Sequence, residues 1–428
     1  MYRLTFRIII FLASAGLLGL SAIMLPPASR ATETDNFLAA EVVVKLVRAS
    51  DLPAVAAQYG LDPVPIDQFG SRSLYLLKIT DGSSPNDKAE ALFADPQARV
   101  LYAEPNLLQQ APEGAARVTW SAGGGSGDYV AQWAPNMIRL PEAHTVTRGA
   151  GITVAVLDTG VDTTHPALVG KLVAGYDFVD GDTDPSEVGD HTQNPTFGHG
   201  THVAGLIALA APDAKIMPLR VLDQNGVGNA WRLAEALAFA MDPDNNPATN
   251  DNVDVINLSL STVDRSKLIR DVIKAAICND GIQGQSSTDI PCFSLAGRGA
   301  VIAVAVGNNA SSTPEYPAGD GRNGMIAVGA STQADLIASF SNFGSWVNVL
   351  APGEGILSSV PGGGFGTWSG TSMATPLVAG ESALVRARFP TLKPAKVAQR
   401  ILDNSAQIQG PVRLRIDAAA ALGLGKAH

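Results

Sequence analysis

Four residues in this chain have the types and neighbours that acyl-transfer chemistry needs. The run GTSMATP (370–376) sets Ser372 between a glycine, which turns without a Cβ, and an apolar stretch from Met373 to Phe389. That stretch reads as a helix with Pro376 in its first turn, where no hydrogen-bonded N–H is lost. A serine at a helix N-terminus meets free backbone N–H groups and the positive end of the helix dipole, so negative charge growing on a nearby oxygen is stabilised. It also needs a base. His199 in GHGTHVAG (198–205) opens a small-residue helix, and a neutral imidazole accepts a serine proton near pH 7. His202 lies three residues on, but a metal pair would need further ligands and no HExxH pattern occurs, so His202 is read as packing or hydrogen-bonding in the helix. Asp158 in VAVLDTGVD ends an apolar run and can hold the imidazole in one tautomer; Asp162 competes, and Asp158 is preferred because it directly ends the strand and precedes Thr-Gly. For an oxyanion, the run AVGNN offers the side-chain amide of Asn308, with Asn309 as its rival, beside the Ser372 backbone N–H. Taken singly, each motif has a plainer reading as an N-cap or a turn.

The elements that must position these residues are legible as two patterns. From about Tyr129 onward, short apolar runs at 152–157, 216–222, 253–260, 300–306 and 325–330 are largely uncut by charge and alternate with helical stretches near 201–210, 230–241 and 265–278. That rhythm predicts an α/β domain, a parallel doubly wound sheet covered by helices on both faces. Ligands bind beyond the carboxyl ends of such strands, and Asp158, Ser259 and Asn308 all fall there. Residues 36–112 form a separate small α+β pattern of ferredoxin-like type, with strands at 41–46, 73–79 and 98–106 and helices near 52–59 and 86–93. Between them, residues 113–128 contain GGGSG (123–127), a linker flexible by composition.

Composition sets the compartment. Hydrophobic residues at 46% and charged residues at 16% leave nothing disordered in character, and a net charge of −10 without any basic cluster argues against nucleic acid as a partner. Arg3 and Arg7 precede an apolar run, Ile8 to Leu25, then Pro26, Pro27 and Ser29-Arg30-Ala31. This reads as a signal peptide over 1–31 of an exported protein, secreted or periplasmic; the alternative, an uncleaved anchor, would be its sole route to a membrane. In an oxidising compartment Cys278 and Cys292 can pair, two buried thiols being the other reading.

With VAVLDTGVD, GHGTHVAG and GTSMATP in hand, and SFSNFG (339–344) and VLAPG (349–353) beside them, residues from about Gln132 onward resemble the subtilisin-like serine proteases, whose triad follows the order Asp, His, Ser. The resemblance implies Asp158, His199 and Ser372 as the triad, Asn308 as the side-chain oxyanion donor, and residues 129–428 as the catalytic domain. It implies that residues 36–112, which look like an inhibitory and chaperoning propeptide, precede that domain, with Leu107 to Pro112 lying along the substrate cleft. It implies an S1 pocket lined by Ser259, Leu260 and Ser261, by the backbone from Ala305 to Gly307, and by Glu315 before Tyr-Pro. There Ser261 replaces a common glycine. A Glu315 on the pocket floor favours Lys or Arg at P1, whereas one turned to solvent or paired with Arg322 leaves the pocket apolar.

No cofactor is required for this chemistry. The acidic stretch YDFVDGDTDP (176–185) resembles a calcium loop of some relatives, with Asp177, Asp180, Asp182 and Asp184 as oxygen ligands of a structural calcium; a solvated acidic loop is the alternative. The near-absence of a loop between HVAGLIAL and APDAKIMPL removes another calcium site common in the family, and Leu377 stands where a histidine is usual. The expected protein is a monomeric, autoprocessed endopeptidase acting on peptides and proteins, inhibited by its own propeptide. A catalytically silent peptide-binding protein on the same fold is the competing class, and a dinucleotide-binding reading fails because Gly149-Ala150-Gly151 precedes its strand instead of following it.

Overall fold

In the computed structural model, residues 36–113, 120–246, 249, 251–278, 290–293 and 299–426 are described. Residues 1–31, read above as a signal peptide, and residues 114–119 of the linker lie outside them.

Period-2 alternation gives the first sheet two apolar faces. Strand β1 (Phe37–Leu46), helix α1 (Leu52–Tyr59), strands β2 (Asp67–Gln68) and β3 (Leu74–Lys78), helix α2 (Pro85–Phe93) and strand β4 (Val100–Gln110) follow in chain order. The strands lie antiparallel in the order β2-β3-β1-β4, the ferredoxin-like arrangement expected from the sequence. Gly60, in the left-handed region at φ 63°, stops α1, and the Ser84 side chain accepts from the Asp87 amide to start α2. Val42, Val44, Leu77 and Leu92 close a small core beneath these helices. Val43, Leu74, Leu76 and Tyr102, on the opposite face, pack into a second core.

That second core belongs to the larger α/β part. Its elements are β5 (Ser121–Ala122), β6 (Thr153–Asp158), β7 (Tyr176–Asp177), α3 (His199–Ala210), β8 (Lys215–Arg220), β9 (Val227–Asn229), α4 (Ala230–Met241), β10 (Val255–Leu258), α5 (Lys267–Ile277), β11 (Val301–Ala305), β12 (Met325–Ser331), β13 (Val349–Pro352), β14 (Ile356–Val360), β15 (Gly364–Trp368), α6 (Thr371–Arg388), β16 (Ala406–Gln407) and β17 (Leu414–Arg415). The main sheet runs β16-β17-β13-β12-β11-β10-β6-β8-β7 and is parallel except at the β16–β17 edge. Strands β10, β11 and β12 are buried along their whole length, which is why they read as unbroken apolar runs. The order reverses at β6, with β8 on one side and β10 on the other, so the crevice of this sheet opens beside Asp158.

The two parts meet through caps as well as apolar contact. The Glu104 carboxylate accepts from Ser266 Oγ and from the Lys267 and Leu268 amides at 2.7–3.0 Å, closing the N-terminus of α5. Asn106 Oδ1 accepts from the Trp231 amide at the start of α4. Beyond them β4 leaves its own sheet and pairs antiparallel with β9, Leu108 facing Asn229 and Gln110 facing Val227.

Two expectations need correction. The linker is ordered from residue 120: β5 pairs with β15, the Gly123 amide donates to Phe365 O at 3.1 Å, and a short helix, Ser126–Ala131, follows with Asp128 accepting from the Gly125 amide. Gly124 serves close approach, since a Cβ there, at φ 82°, would strike the Leu357 side chain. Helix α6 begins at Thr371, which puts Pro376 inside the helix and past its first turn. The missing Pro376 N–H frees the Ser372 carbonyl, and Ser259 Oγ donates to it at 3.1 Å.

Cys278 and Cys292 form a disulfide between Cα atoms 5.4 Å apart. Among the described residues no helix is long and apolar enough to cross a membrane. Helices α3 and α6 touch where Gly380 meets Ala210, and a Cβ on Gly380 would overlap that methyl group. Gly380→Ala should therefore lower unfolding free energy by about 1–3 kcal/mol, read as a reduced urea midpoint in a Ser372→Ala background that cannot digest itself.

Candidate active site

Asp158 ends β6, and its carboxylate is 1% exposed. Its Oδ1 accepts from the Thr159 amide at 2.8 Å and lies 2.7 Å from His199 Nδ1. The helix carrying His199 can come this near because its second residue is Gly200, whose Cβ would strike the Gly160 carbonyl and press on Asp158. Gly198, at φ 89°, makes the turn into the helix.

Ser372 enters from the opposite side as the second residue of α6. Its Oγ and His199 Nε2 meet at one atom, Glu113 Oε2, at 2.6 and 3.0 Å. The other carboxylate oxygen, Oε1, accepts from Asn308 Nδ2 at 2.8 Å. Asn308 Oδ1 in turn accepts from the Thr371 amide at 2.9 Å, which fixes which end of the amide faces the site. Glu113 fits against Gly370 because that residue has no side chain; a Cβ there would overlap Oε1.

The charges follow from this packing. Burial pulls the His199 imidazolium down, but Asp158 and then Glu113 outweigh it and hold the group up to about 10. For Glu113 burial works upward, and the His199, Ser372 and Asn308 contacts overcome it and keep the carboxyl below its ordinary value. A buried carboxylate, imidazolium, carboxylate row results, in which His199 holds a proton on each nitrogen and is no base. His202, by contrast, is pushed down to about 3 by burial and by its charged neighbour, and stays neutral with Nε2 3.1 Å from Gly366 O.

The segment before Glu113 is held as a strand between two others. On one side it pairs with β9 and the Ala111 amide donates to Gly226 O at 2.9 Å; on the other Gln110 and Ser261 exchange both backbone hydrogen bonds at 3.0 and 2.9 Å. Pro112 then sits over a slot. Ser261 and Glu315 line it, Glu315 Oε2 accepting from Ser261 Oγ and lying against Gly307, while Ser259 reaches the Ser372 carbonyl. Leu260 turns into the second core and Ala305 is buried within β11. Asn309 donates to Glu315 at 2.7 Å, leaving Asn308 as the asparagine beside His199 and Ser372, and Asp162 accepts from Thr164 and the Gly362 amide.

The proposed calcium ligands have another partner. Arg220 Nη1 pairs with Asp177 Oδ2 and Asp180 Oδ2 at 2.6 and 2.5 Å, and Asp177 Oδ1 accepts two backbone amides. Asp182 and Asp184 accept from the amides two residues on, so a guanidinium supplies the charge an ion would have brought. Among the described residues the acidic groups that do converge, Asp242, Asp244 and Asp251, lie after α4 and already accept from Asn246 and Thr249.

Two residues escaped the sequence reading. Glu113 follows directly on the stretch expected in the cleft, and it is the first acidic residue after Glu104, the one available signal. Glu187, half-buried, accepts from Thr159 Oγ1, from Thr201 Oγ1 and from the Gly198 and Thr201 amides at 3.0–3.2 Å, capping the helix that bears His199. Burial and the nearby Asp158 push its carboxyl up to about 7.

Sequence and fold comparisons agree with this geometry. Residues 149–419 match the Subtilase family, and residues 25–106 match the fervidolysin N-terminal prodomain. The thermophilic serine proteinase of Bacillus sp. (strain AK1) is 34% identical over 369 residues, 82% of this chain and 79% of the relative. Thermitase of Thermoactinomyces vulgaris is 36% identical over 264 residues, 59% of this chain and 81% of the relative. The crystal structure of fervidolysin from Fervidobacterium pennivorans, described as a keratinolytic enzyme related to subtilisin, superposes with a TM-score of 0.70 at 23% identity; the match covers 90% of this chain and 61% of that one, and shows the fold.

Removing the Asn308 amide while keeping its volume tests its place in the site. Asn308→Leu should lower kcat by roughly 10²–10³-fold with KM little changed, the size known for such a donor in subtilisin itself, measured by steady-state peptide hydrolysis.

Proposed function

The chain belongs to the subtilase family of serine proteases, and from that premise we propose that it is an exported endopeptidase, made as a precursor that silences and then processes itself. The observation that carries this reading is Glu113, whose one carboxylate answers His199, Ser372 and Asn308 together. A carboxylate accepting from the nucleophile, the base and the side-chain amide has the shape and charge of a cleaved peptide end or an oxyanion. The groups it satisfies are those a reacting carbonyl would need.

With Glu113 withdrawn, His199 loses one of its two acidic neighbours and its proton is held less tightly. Nε2 then takes the Ser372 Oγ proton as Oγ bonds to the peptide carbonyl carbon. The carbonyl oxygen, now negative, occupies the place of Glu113 Oε1 beside Asn308 Nδ2 and the N-terminus of α6. His199 passes the proton to the departing amine, the C–N bond breaks, and water, deprotonated by the same nitrogen, releases the acid from the ester. Asp158 keeps Nδ1 protonated and the ring turned. The prodomain strand through Gln110 models how a substrate chain would lie, between β9 and Ser261. Export rests on the charged, apolar and small-residue succession over residues 1–31.

Mass spectrometry of precursor expressed with export tests the reading directly. Wild type should lose residues up to a point between 107 and 130, and Ser372→Ala should keep them. If both keep them and neither reacts with a fluorophosphonate, the peptidase reading is wrong.

Glu113 has its own signature. Its pairing with His199 is complete below the ordinary histidine value of 6.5 and is lost as pH rises through about 10, whereas the lowered Glu113 value releases the pair only in acid below its ordinary 4.5. Processing should therefore quicken as pH rises from neutral into the alkaline range. Glu113→Gln should process faster at neutral pH and shift that rise to lower pH, followed as intact mass against time.

A further inference from the structure

We infer that Glu315 makes this peptidase select a lysine or arginine at P1, the residue whose carbonyl is attacked; the inference rests on the peptidase reading above. Glu315 is 7% exposed, and its carboxylate is held by neutral donors alone: Ser261 Oγ on Oε2 at 2.7 Å, and Asn309 Nδ2 and Asn342 Nδ2 on Oε1 at 2.7 and 2.8 Å. Among the described residues no lysine, arginine or histidine pairs with it, Arg322 included. Three such donors orient a buried carboxylate without neutralising it, and a charge left in that state favours an incoming cation.

The position of the charge decides what can reach it. The backbones of Thr262 and Tyr316 exchange both hydrogen bonds at 2.9 and 2.8 Å, which pins Glu315 beside the strand that receives the substrate. Its Oε2 lies across the slot, against Gly307, where any Cβ would overlap it. Oε1 carries two donors and Oε2 only one, so the acceptor with an open site is the one inside the slot.

A cavity of about 120 Å³ lies there, lined by Gln110, Pro112, Ser261, Asn309 and Glu315. That volume far exceeds the ~10–15 Å³ a single water needs, so a side chain can enter. The prodomain presents Pro112 at its mouth, a side chain too short and apolar to answer the carboxylate. A cleft strand meant to occupy the site without being turned over quickly gains from that mismatch. A lysine or arginine at the same position would carry its cation to Oε2, while an aspartate or glutamate there would meet like charge in a low dielectric.

The test uses the mature enzyme and matched peptide anilides that differ only at P1: Arg, Lys, Ala, Phe and Glu. We expect kcat/KM for Arg and Lys to exceed that for Ala and Phe by roughly 10- to 100-fold, the span of a hydrogen bond to a charged group, with Glu the poorest. In Glu315→Gln, which keeps the side chain's length and two of its polar atoms, the advantage should collapse. Wild type that cleaves after Phe or Ala as well as after Arg overturns the inference, as does a basic preference that survives Glu315→Gln. Fluorophosphonate labelling of the same preparations separates the two failures. Labelled enzyme indifferent to P1 sinks only the role of Glu315, whereas enzyme that neither labels nor cleaves sinks the peptidase reading and this inference with it.

Discussion

A buried imidazole can carry charge only if a carboxylate stands beside it, and the Asp158–His199 contact at 2.7 Å is the interaction on which the remaining architecture depends. It demands that the end of a strand and the start of a helix come within hydrogen-bond reach in a dry place. The sheet meets the first demand by reversing its strand order at β6, which opens a crevice there. Gly198 and Gly200 meet the second by allowing the helix to turn in and press on the strand. Glu187 then satisfies the helix N-terminus, whose amides would otherwise be unpaired close to the acidic side chain they must not disturb. Ser372 is located last, by a second helix packed on the first at Gly380 and by the Ser259 hydroxyl on its own carbonyl.

The prodomain exploits the same features from outside. Its sheet turns one apolar face inward on its own helices and the other onto α4 and α5, so neither face is left wet. Glu104 and Asn106 add acceptors to the N-termini of α5 and α4, which Ser266 and Asn229 already cap from their own sequence, and β4 runs on from these contacts into the cleft as a third strand. Docking, capping and blockage are thus one continuous stretch of chain. Loss of any part weakens the others, which suits the proposed role of a segment that holds firmly until it is cut.

Much of this was legible before any coordinates. Fully buried parallel strands such as β10 and β11 have no polar face to interrupt them, so they read plainly, and Asn308, just past β11, does meet Glu113 beside His199 and Ser372. Pro376 was misplaced because a proline inside a helix is normally excluded; here the carbonyl it leaves free has a partner in Ser259, just past β10, a contact no local pattern encodes. The glycines of 123–127 read as flexible because composition does not distinguish a glycine that is free from one that is crowded by Leu357. Asp177 and Asp180 pair with Arg220, 40 residues along the chain from Asp180, a contact that no local carboxylate pattern encodes. Glu113 was invisible for a related reason. Its role depends on the register with which β4 enters the cleft, and register is a property of pairing across the chain.

Two glutamates meet at the cleft, and on the proposed reading the difference between them is how one cleft would serve an inhibitor and a substrate. Glu113 comes from the strand and meets an imidazolium, a hydroxyl and an amide, so it gains charge pairing and hydrogen bonds together. Glu315 comes from the enzyme and meets hydroxyl and amide groups alone. The prodomain thus brings its negative charge to the one place where a positive charge waits, and brings nothing to the place where a negative charge waits. A peptide with the opposite arrangement, a cation at P1 and a neutral carbonyl at the triad, would satisfy the second site while leaving His199 free of the extra carboxylate that keeps it protonated. On that reading inhibition and turnover would differ by where a charge is delivered in the cleft, and the same backbone ladder to β9 and Ser261 would hold both.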